Sequence, residues 1–112
     1  MRILLITLAL ASTPALANPQ LAGQLRKEFD NCVYASVGKQ WQANPGIDSS
    51  LAAEVGFQSC STEEQAMSAL LYATNTPPSQ VNAAIVGIRL QLKRTVREIM
   101  ADPAGYRKKH GG

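Results

Sequence analysis

The sequence predicts an all-α protein, a small three-helix or possible four-helix bundle with a disulfide-stapled helical hairpin. Apolar residues recur at helical spacing through most of the chain, and no stretch alternates as a strand would. Helix-breaking residues interrupt this pattern at 44–46 and again at 75–78. The only two cysteines, Cys32 and Cys60, lie on either side of the first interruption.

The cysteine spacing supports a hairpin closed by one disulfide. Cys32 lies 12 residues before Asn44, and Cys60 lies 12 residues after Asp48. At ~1.5 Å of rise per residue, each cysteine would stand ~18 Å from the turn on facing antiparallel helices. An oxidised pair is the expected state in an exported chain. Closing a loop of about 29 residues would stabilise the fold by ~3–4 kcal/mol in the chain-entropy model.

The first 17 residues have the three parts of a secretory signal peptide. Arg2 precedes an apolar run, and Ala15 and Ala17 supply the small side chains of a cleavage site. The apolar run is shorter than the ~20 residues that span a bilayer. We therefore expect cleavage after Ala17 and a periplasmic or secreted location. The mature chain then divides into a helical domain over 18–101 and a basic, flexible tail over 102–112.

The first predicted helix runs from Pro19 to Ala43. Proline suits a first helical turn, where its missing N–H would have no partner anyway. Asn44-Pro45-Gly46 ends the helix, because proline disfavours helical geometry at the residue before it. Apolar side chains at i, i+4 spacing form one face of this helix: Leu21, Leu25, Phe29, Cys32, Val33, Val37 and Trp41.

The second predicted helix begins after Asp48, a good N-cap. Two neighbouring stripes follow, one of Leu51, Val55 and Ser59 and one of Ala52, Gly56 and Cys60. Ser61 and Glu64 then fit a capping box, in which each side chain accepts a backbone N–H of the helix start. The helix therefore either restarts at Ser61, which gives four helices, or continues unbroken to Ala73, which gives three.

The third predicted helix runs from Pro78 to Ala101, with Thr76 as a cap. Ala83 and Gly87 are small, so another helix of this chain or of a second copy would be able to approach closely there. Asp102-Pro103-Ala104-Gly105 is expected to end the helix. The apolar stripe repeats every three or four residues, as a bundle helix requires: Val81, Ile85, Ile88, Leu92, Val96 and Ile99.

The two cysteine segments also carry a resemblance. Around Cys32-Val33-Tyr34 and over Ala53–Cys60 the chain resembles a group of small exported bacterial helical proteins. These have one cysteine in a helix and a second at the end of the next, followed by acidic residues, as Glu63 and Glu64 follow here. The resemblance implies export and the disulfide, and it implies no activity and no site residues.

Charge is unevenly distributed along the chain. Residues 18–88 carry three basic and six acidic side chains, whereas residues 89–112 carry seven basic and two acidic ones. Such a cationic end favours contact with an anionic partner, such as an envelope protein, anionic lipid or lipopolysaccharide. The alternative interpretation is a merely solvated helix face. The candidate contact residues are Arg89, Lys93, Arg94, Arg97, Arg107, Lys108 and Lys109.

The sequence offers little for catalysis or metal binding, so we predict no enzyme activity, no cofactor and no metal. The single histidine, His110, lies in the tail, and no nucleophile motif, phosphate loop or metalloprotease helix is present. Nucleic acid is not expected as a partner, because no aromatic residues interleave the cations. Tyr34, Trp41 and Phe57 either line a groove or belong to the core, which is the commoner role.

The sequence therefore favours a small exported binding protein of the bacterial envelope, without enzyme activity, that uses a cationic C-terminal helix. Two other classes stay open. One is a periplasmic stress chaperone, similar in size, export and single disulfide to the acid-stress chaperones, although the cysteine spacing is shorter here. The other is an enzyme inhibitor or immunity protein, in which a stapled scaffold presents one loop.

Overall fold

The computed structural model describes residues 19–109, and this range contains five helices and no strand. The all-α prediction is confirmed, but the helix count in the described range is five, where three or four were expected. The predicted signal peptide, with its cleavage site after Ala17, lies outside the described residues. The helices are α1 (Pro19–Ala43), α2 (Ser49–Ser59), α3 (Ser61–Ala73), α4 (Pro78–Ala101) and α5 (Pro103–Lys109).

The chain leaves helical geometry at Cys60, so the question that the sequence left open is answered in favour of a restart. Cys60 has φ −107° and ψ 28° and separates α2 from α3. The predicted capping box is wrong, because Ser61 is already the first residue of α3 and Cys60 caps it without a side-chain hydrogen bond. The carboxylate of Glu64 binds Arg89 instead of the helix start.

The fifth helix lies within the segment that was predicted as a tail. Asp102 leaves helical geometry at the end of α4, with φ −152° and ψ 79°. Its carboxylate accepts a hydrogen bond from the backbone N–H of Gly105 at 3.0 Å, and its carbonyl accepts one from Tyr106 at 2.9 Å. Asp102 followed by Pro103 therefore starts a helix, with an acidic cap and a proline in the first turn.

The turns are stabilised by local hydrogen bonds that the sequence partly predicts. Asp48 caps α2, since its carboxylate accepts from the backbone N–H of Leu51 at 3.0 Å. In the preceding turn, the side-chain oxygen of Asn44 accepts from the N–H of Gly46 at 3.2 Å. Asn75 takes a left-handed conformation, φ 63°, between α3 and α4, which asparagine tolerates better than most residues.

The core lies where α1 packs against the small residues of α2. Phe29 and Val33 are fully buried, and the Phe29 ring stacks on Phe57 with centroids 6.2 Å apart. A Cβ on Gly56 would lie 3.2 Å from a methyl carbon of Val33, a tight contact, so glycine suits this close approach of the two helices. Of the two stripes predicted on α2, the one with Ala52, Gly56 and Cys60 is buried, whereas Leu51 is exposed.

One disulfide fixes α1 to the junction of α2 and α3. Cys32 and Cys60 are bonded, with Cα atoms 6.0 Å apart, which confirms the predicted pair. The side-chain amide of Gln40 adds a second link between α1 and α2 by donating to the carbonyl of Ala52 at 3.0 Å. Besides the contact of α1 with α2, α1 contacts α3 and α4, α4 contacts α2, α3 and α5, and α2 contacts α3.

Within residues 19–109, no helix has the length and apolar character to cross a bilayer.

Candidate anion-binding surface on helix α4

Arg89 was predicted as a contact for an anionic partner, but its guanidinium is already engaged within the protein. Its Nε and Nη2 donate to the two carboxylate oxygens of Glu64, at 2.7 and 2.6 Å. The guanidinium carbon also lies 5.4 Å from the centre of the Phe57 ring, within cation–π range. The hydrogen bond to Glu64 raises the pKa of Arg89 above its ordinary value. Arg89 therefore joins α4 to α3 and α2.

Lys93 lies one turn further along α4 and is also paired. Its ammonium group is 2.5 Å from a carboxylate oxygen of Glu54 on α2. About a third of the Lys93 side chain and nearly half of the Glu54 side chain are exposed, so solvent weakens this pair and leaves the lysine accessible.

Arg94 and Arg97 have a different environment from the two preceding cations. Both side chains are exposed, and neither has an ion pair among the residues that the structure describes. Glu98 is the nearest carboxylate in sequence, four residues after Arg94, and no ion pair joins the two. Each guanidinium thus keeps its full set of donors for an external partner.

These two arginines continue a line of exposed residues along α4, here called the outer stripe: Ala83, Val86, Gly87, Leu90, Arg94 and Arg97. Except for Val86, successive members are four, three, four and three residues apart, which keeps them on one side of a helix. The buried residues of α4, Val81, Leu92 and Val96, lie on the opposite side. The first part of the outer stripe is apolar, the last part is cationic, and it contains no carboxylate.

The cationic end of the outer stripe borders a cleft of about 320 Å³ between α4 and the start of α2. Asp48 already caps this end of α2, so the helix terminus itself does not supply the positive charge. Three cationic side chains and two hydroxyl groups supply the donors of the cleft, and one leucine supplies an apolar wall. Its lining residues are Ser49, Ser50, Leu90, Lys93, Arg94 and Arg97.

The remaining predicted contact residues lie on α5. Arg107, Lys108 and Lys109 form the last part of this helix, and Lys108 is exposed. The seven predicted cations are therefore divided among three environments. Arg89 and Lys93 pair with acids of α3 and α2, Arg94 and Arg97 face outward on α4, and the others follow on α5.

Of the three aromatic residues that the sequence offered as a groove, two share a pocket and one lies in the core. Phe57 is buried in the core. Tyr34 and Trp41 are half-buried and line an apolar pocket of about 210 Å³ between α1 and α4, beside Gly38. Burial raises the pKa of the Tyr34 hydroxyl, and the negative charge of Asp30 raises it further.

One group of potential metal ligands occurs in the described part of the chain, and the disulfide makes it unsuitable for a metal. The two sulfurs of Cys32 and Cys60 and a carboxylate oxygen of Glu63 lie within 4.8 Å of one another. The sulfurs are bonded to each other and therefore offer no thiolate, which is the form that binds metals.

Contacts between helices decide which cations are paired within the protein, and the spacing of residues along one helix does not predict those contacts. Arg89, Lys93 and Arg97 are spaced by four, so the sequence groups them as one strip. The packing of α2 and α3 places Glu54 and Glu64 beside the first two only. The exposed residues Val86 and Leu90 were not predicted as part of a site. The signal for them was their position on the side of α4 opposite the predicted apolar stripe.

Comparison of the chain with protein-family models, with curated proteins and with solved structures found no match. The function is therefore inferred from this chain's own residues.

Proposed function

We propose that this chain is an exported, non-enzymatic binding protein, built as a small helical bundle, that contacts an anionic partner through the cationic end of the outer stripe. The observation that carries the proposal is the pair Arg94 and Arg97, exposed on α4 and without an ion pair in the described range. Lys93 and the hydroxyls of Ser49 and Ser50 add further donors at the same cleft.

Arginine suits this role because its guanidinium presents several N–H donors in a fork that matches phosphate and carboxylate groups. Two arginines three residues apart on one helix face are able to engage one anionic surface together. The proposal narrows the contact expected from the sequence. Arg89 serves the fold through Glu64 and Phe57, whereas Arg94 and Arg97 serve the partner.

The disulfide is compatible with export, since such bonds persist in oxidising compartments outside the cytoplasm. It also suits the proposed role, because a fixed scaffold loses less conformational freedom when a partner binds. The proposed partner class includes the phosphate groups of lipids or lipopolysaccharide and acidic surfaces of envelope proteins.

The test compares two double charge reversals that change the net charge equally. Arg94→Glu with Arg97→Glu alters the proposed contact, and Lys27→Glu with Lys39→Glu alters exposed cations of α1. Each protein is applied to immobilised heparin, a polyanion, and eluted with a salt gradient. We expect the α4 variant to elute at clearly lower salt than the α1 variant, because location as well as total charge determines the contact.

Two results would overturn the proposal. One is elution of the two double variants at the same salt concentration, which would mean that only net charge matters. The other is failure of the wild-type protein to bind the resin at low salt. Far-ultraviolet circular dichroism of each variant establishes that the helices are retained, because all four side chains are exposed and outside the core.

A further inference from the structure

We infer that the anionic partner is a lipid bilayer surface, on which α4 lies in the plane of the interface with the outer stripe toward the lipid. This inference rests on the proposed function and specifies its partner. It depends on the apolar half of the outer stripe, which an anion-binding role alone does not use.

The two large apolar side chains of that half are exposed to solvent. Val86 is 54% exposed and Leu90 is 52% exposed, although both lie in the middle of a long helix. A Cβ on Gly87 would meet nothing within 4 Å, so no other part of the described chain covers this side of α4. Burying these side chains against the acyl boundary of a bilayer would remove apolar surface from water.

The dimensions fit a helix lying on a surface. The outer stripe extends ~21 Å from Ala83 to Arg97, at ~1.5 Å of rise per residue. Leu90 lies at the middle, so an apolar half and a cationic half of ~10 Å each follow one another along the same face of the helix. Helices that bind in the interface combine an apolar face with arginine or lysine that reaches anionic headgroups.

Charge together with exposed apolar surface favours a bilayer over a small soluble anion. The outer stripe holds two arginines and no carboxylate, and with Lys93 they outnumber the one exposed carboxylate beside them, Glu98, so this end of α4 is net cationic. Leu90 lines the same cleft as Arg94 and Arg97, which places an apolar group beside the N–H groups that would donate to a phosphate. A lipid presents that same combination, a phosphate next to hydrocarbon, whereas free phosphate would make no use of Val86 or Leu90.

The experiment measures cosedimentation with vesicles of phosphatidylglycerol and phosphatidylcholine, and with vesicles of phosphatidylcholine alone. The test variant is Leu90→Ser. The matched control is Tyr72→Ser, which removes an equally exposed apolar side chain from α3. The charge variant Arg94→Glu with Arg97→Glu is included, and inorganic phosphate is added as a competitor. Circular dichroism again monitors the helices.

We expect the wild-type protein to bind the anionic vesicles and to be released by salt. Leu90→Ser should weaken binding about fivefold, the effect of losing one partly inserted leucine, and Tyr72→Ser should leave binding unchanged. The double reversal should weaken it by about 25-fold or more, since each arginine near an anionic surface contributes about fivefold and the new glutamates repel the surface. Inorganic phosphate should compete no better than sodium chloride of equal ionic strength.

Equal vesicle binding by the wild type, Leu90→Ser and Tyr72→Ser would overturn the bilayer inference, as would specific competition by inorganic phosphate. So would absence of vesicle binding by a protein that heparin retains through Arg94 and Arg97, which would leave the proposed function in place with a soluble anionic partner. Failure of the heparin comparison would instead overturn the proposed function, and the inference with it.

Discussion

At the scale of single residues, Arg89 and Arg94 show how one residue type on one helix takes two roles. Arg89 meets Glu64 and Phe57, whereas Arg94 meets solvent. The sequence places both in a cationic segment, which is correct, but it does not distinguish them. Their difference depends on the packing of α3 against α4, which brings together residues 25 positions apart. Helical spacing describes one helix and contains no information about such a contact.

The pairing of Arg89 predicts an unequal response to alanine substitution. Arg89→Ala should lower the free energy of unfolding by ~1–3 kcal/mol, because it leaves the half-buried carboxylate of Glu64 without its two hydrogen bonds. Arg94→Ala, on the same helix, should change it by less than ~0.5 kcal/mol. Urea unfolding followed by circular dichroism measures both. Equal effects would contradict the assignment of Arg89 to the fold.

Tyr34 predicts a loss of stability in alkali. Burial raises the pKa of its hydroxyl in the folded protein, so the folded state holds this proton more tightly than the unfolded chain does. The resulting stabilisation is complete below the unfolded pKa of about 10 and is lost as pH rises through the folded pKa. Tyr34→Phe should therefore flatten the decline of unfolding free energy above about pH 10. An unchanged decline would show that Tyr34 is not responsible.

At the scale of helices, the long elements were predicted, whereas the break between the two short helices α2 and α3 stayed open and the short helix α5 was missed. The predicted bounds of α1 and α4 agree with the structure, since proline begins each helix and a clear breaker ends it. The junction at Cys60 stayed open, because the same letters fit a continuous helix. Asp102-Pro103 was interpreted only as an end, although the same pair begins α5.

The orientation of α2 shows the same limit. One of two adjacent stripes on this helix has the larger apolar side chains, Leu51 and Val55, but the structure buries the other stripe, which has smaller side chains. The choice follows from backbone distance, since Gly56 lets α1 come close while Leu51 is left exposed. How closely two helices approach depends on the side chains of both, so the residues of α2 alone do not predict which of its stripes is buried.

Two glycines test this description of the helices. Gly87→Ala should raise the free energy of unfolding by ~0.5–1 kcal/mol, because alanine favours a helix and meets nothing on that side of α4. Gly56→Leu should lower it by ~1–3 kcal/mol or more, because the side chain would be forced into Val33. Thermal or urea unfolding measures both changes. Destabilisation by Gly87→Ala would indicate that another surface covers the outer stripe in solution.

At the scale of the whole molecule, the disulfide was the feature most fully predicted from sequence. Two cysteines at matching distances from one turn allowed few other arrangements, and the structure confirms the pair. The uneven charge was equally visible in the sequence. The sequence did not show which of the cations stay unpaired, because acids of α2 and α3 pair with part of the cationic segment only in the folded protein.

Removal of the disulfide should weaken the whole fold. Cys32→Ser with Cys60→Ser should lower the free energy of unfolding by ~3–4 kcal/mol, since the unfolded chain regains the freedom of a loop of about 29 residues. Heparin binding at low temperature should persist as long as the variant stays folded, because the outer stripe does not include either cysteine. A thiol assay on denatured, unreduced wild-type protein should find no free thiol, and two free thiols would contradict the bond.

In the proposed binding mode, Arg94 and Arg97, and not Arg89, meet the anionic partner. The side-chain Nε–Hε signals of arginine in a ¹⁵N-labelled protein report each guanidinium directly during titration with phosphatidylglycerol-containing bicelles. We predict progressive shifts for Arg94 and Arg97, with backbone shifts along the outer stripe, while the Arg89 signal stays in place because Glu64 holds it. A shift of Arg89 with no change at Arg94 and Arg97 would contradict this binding mode.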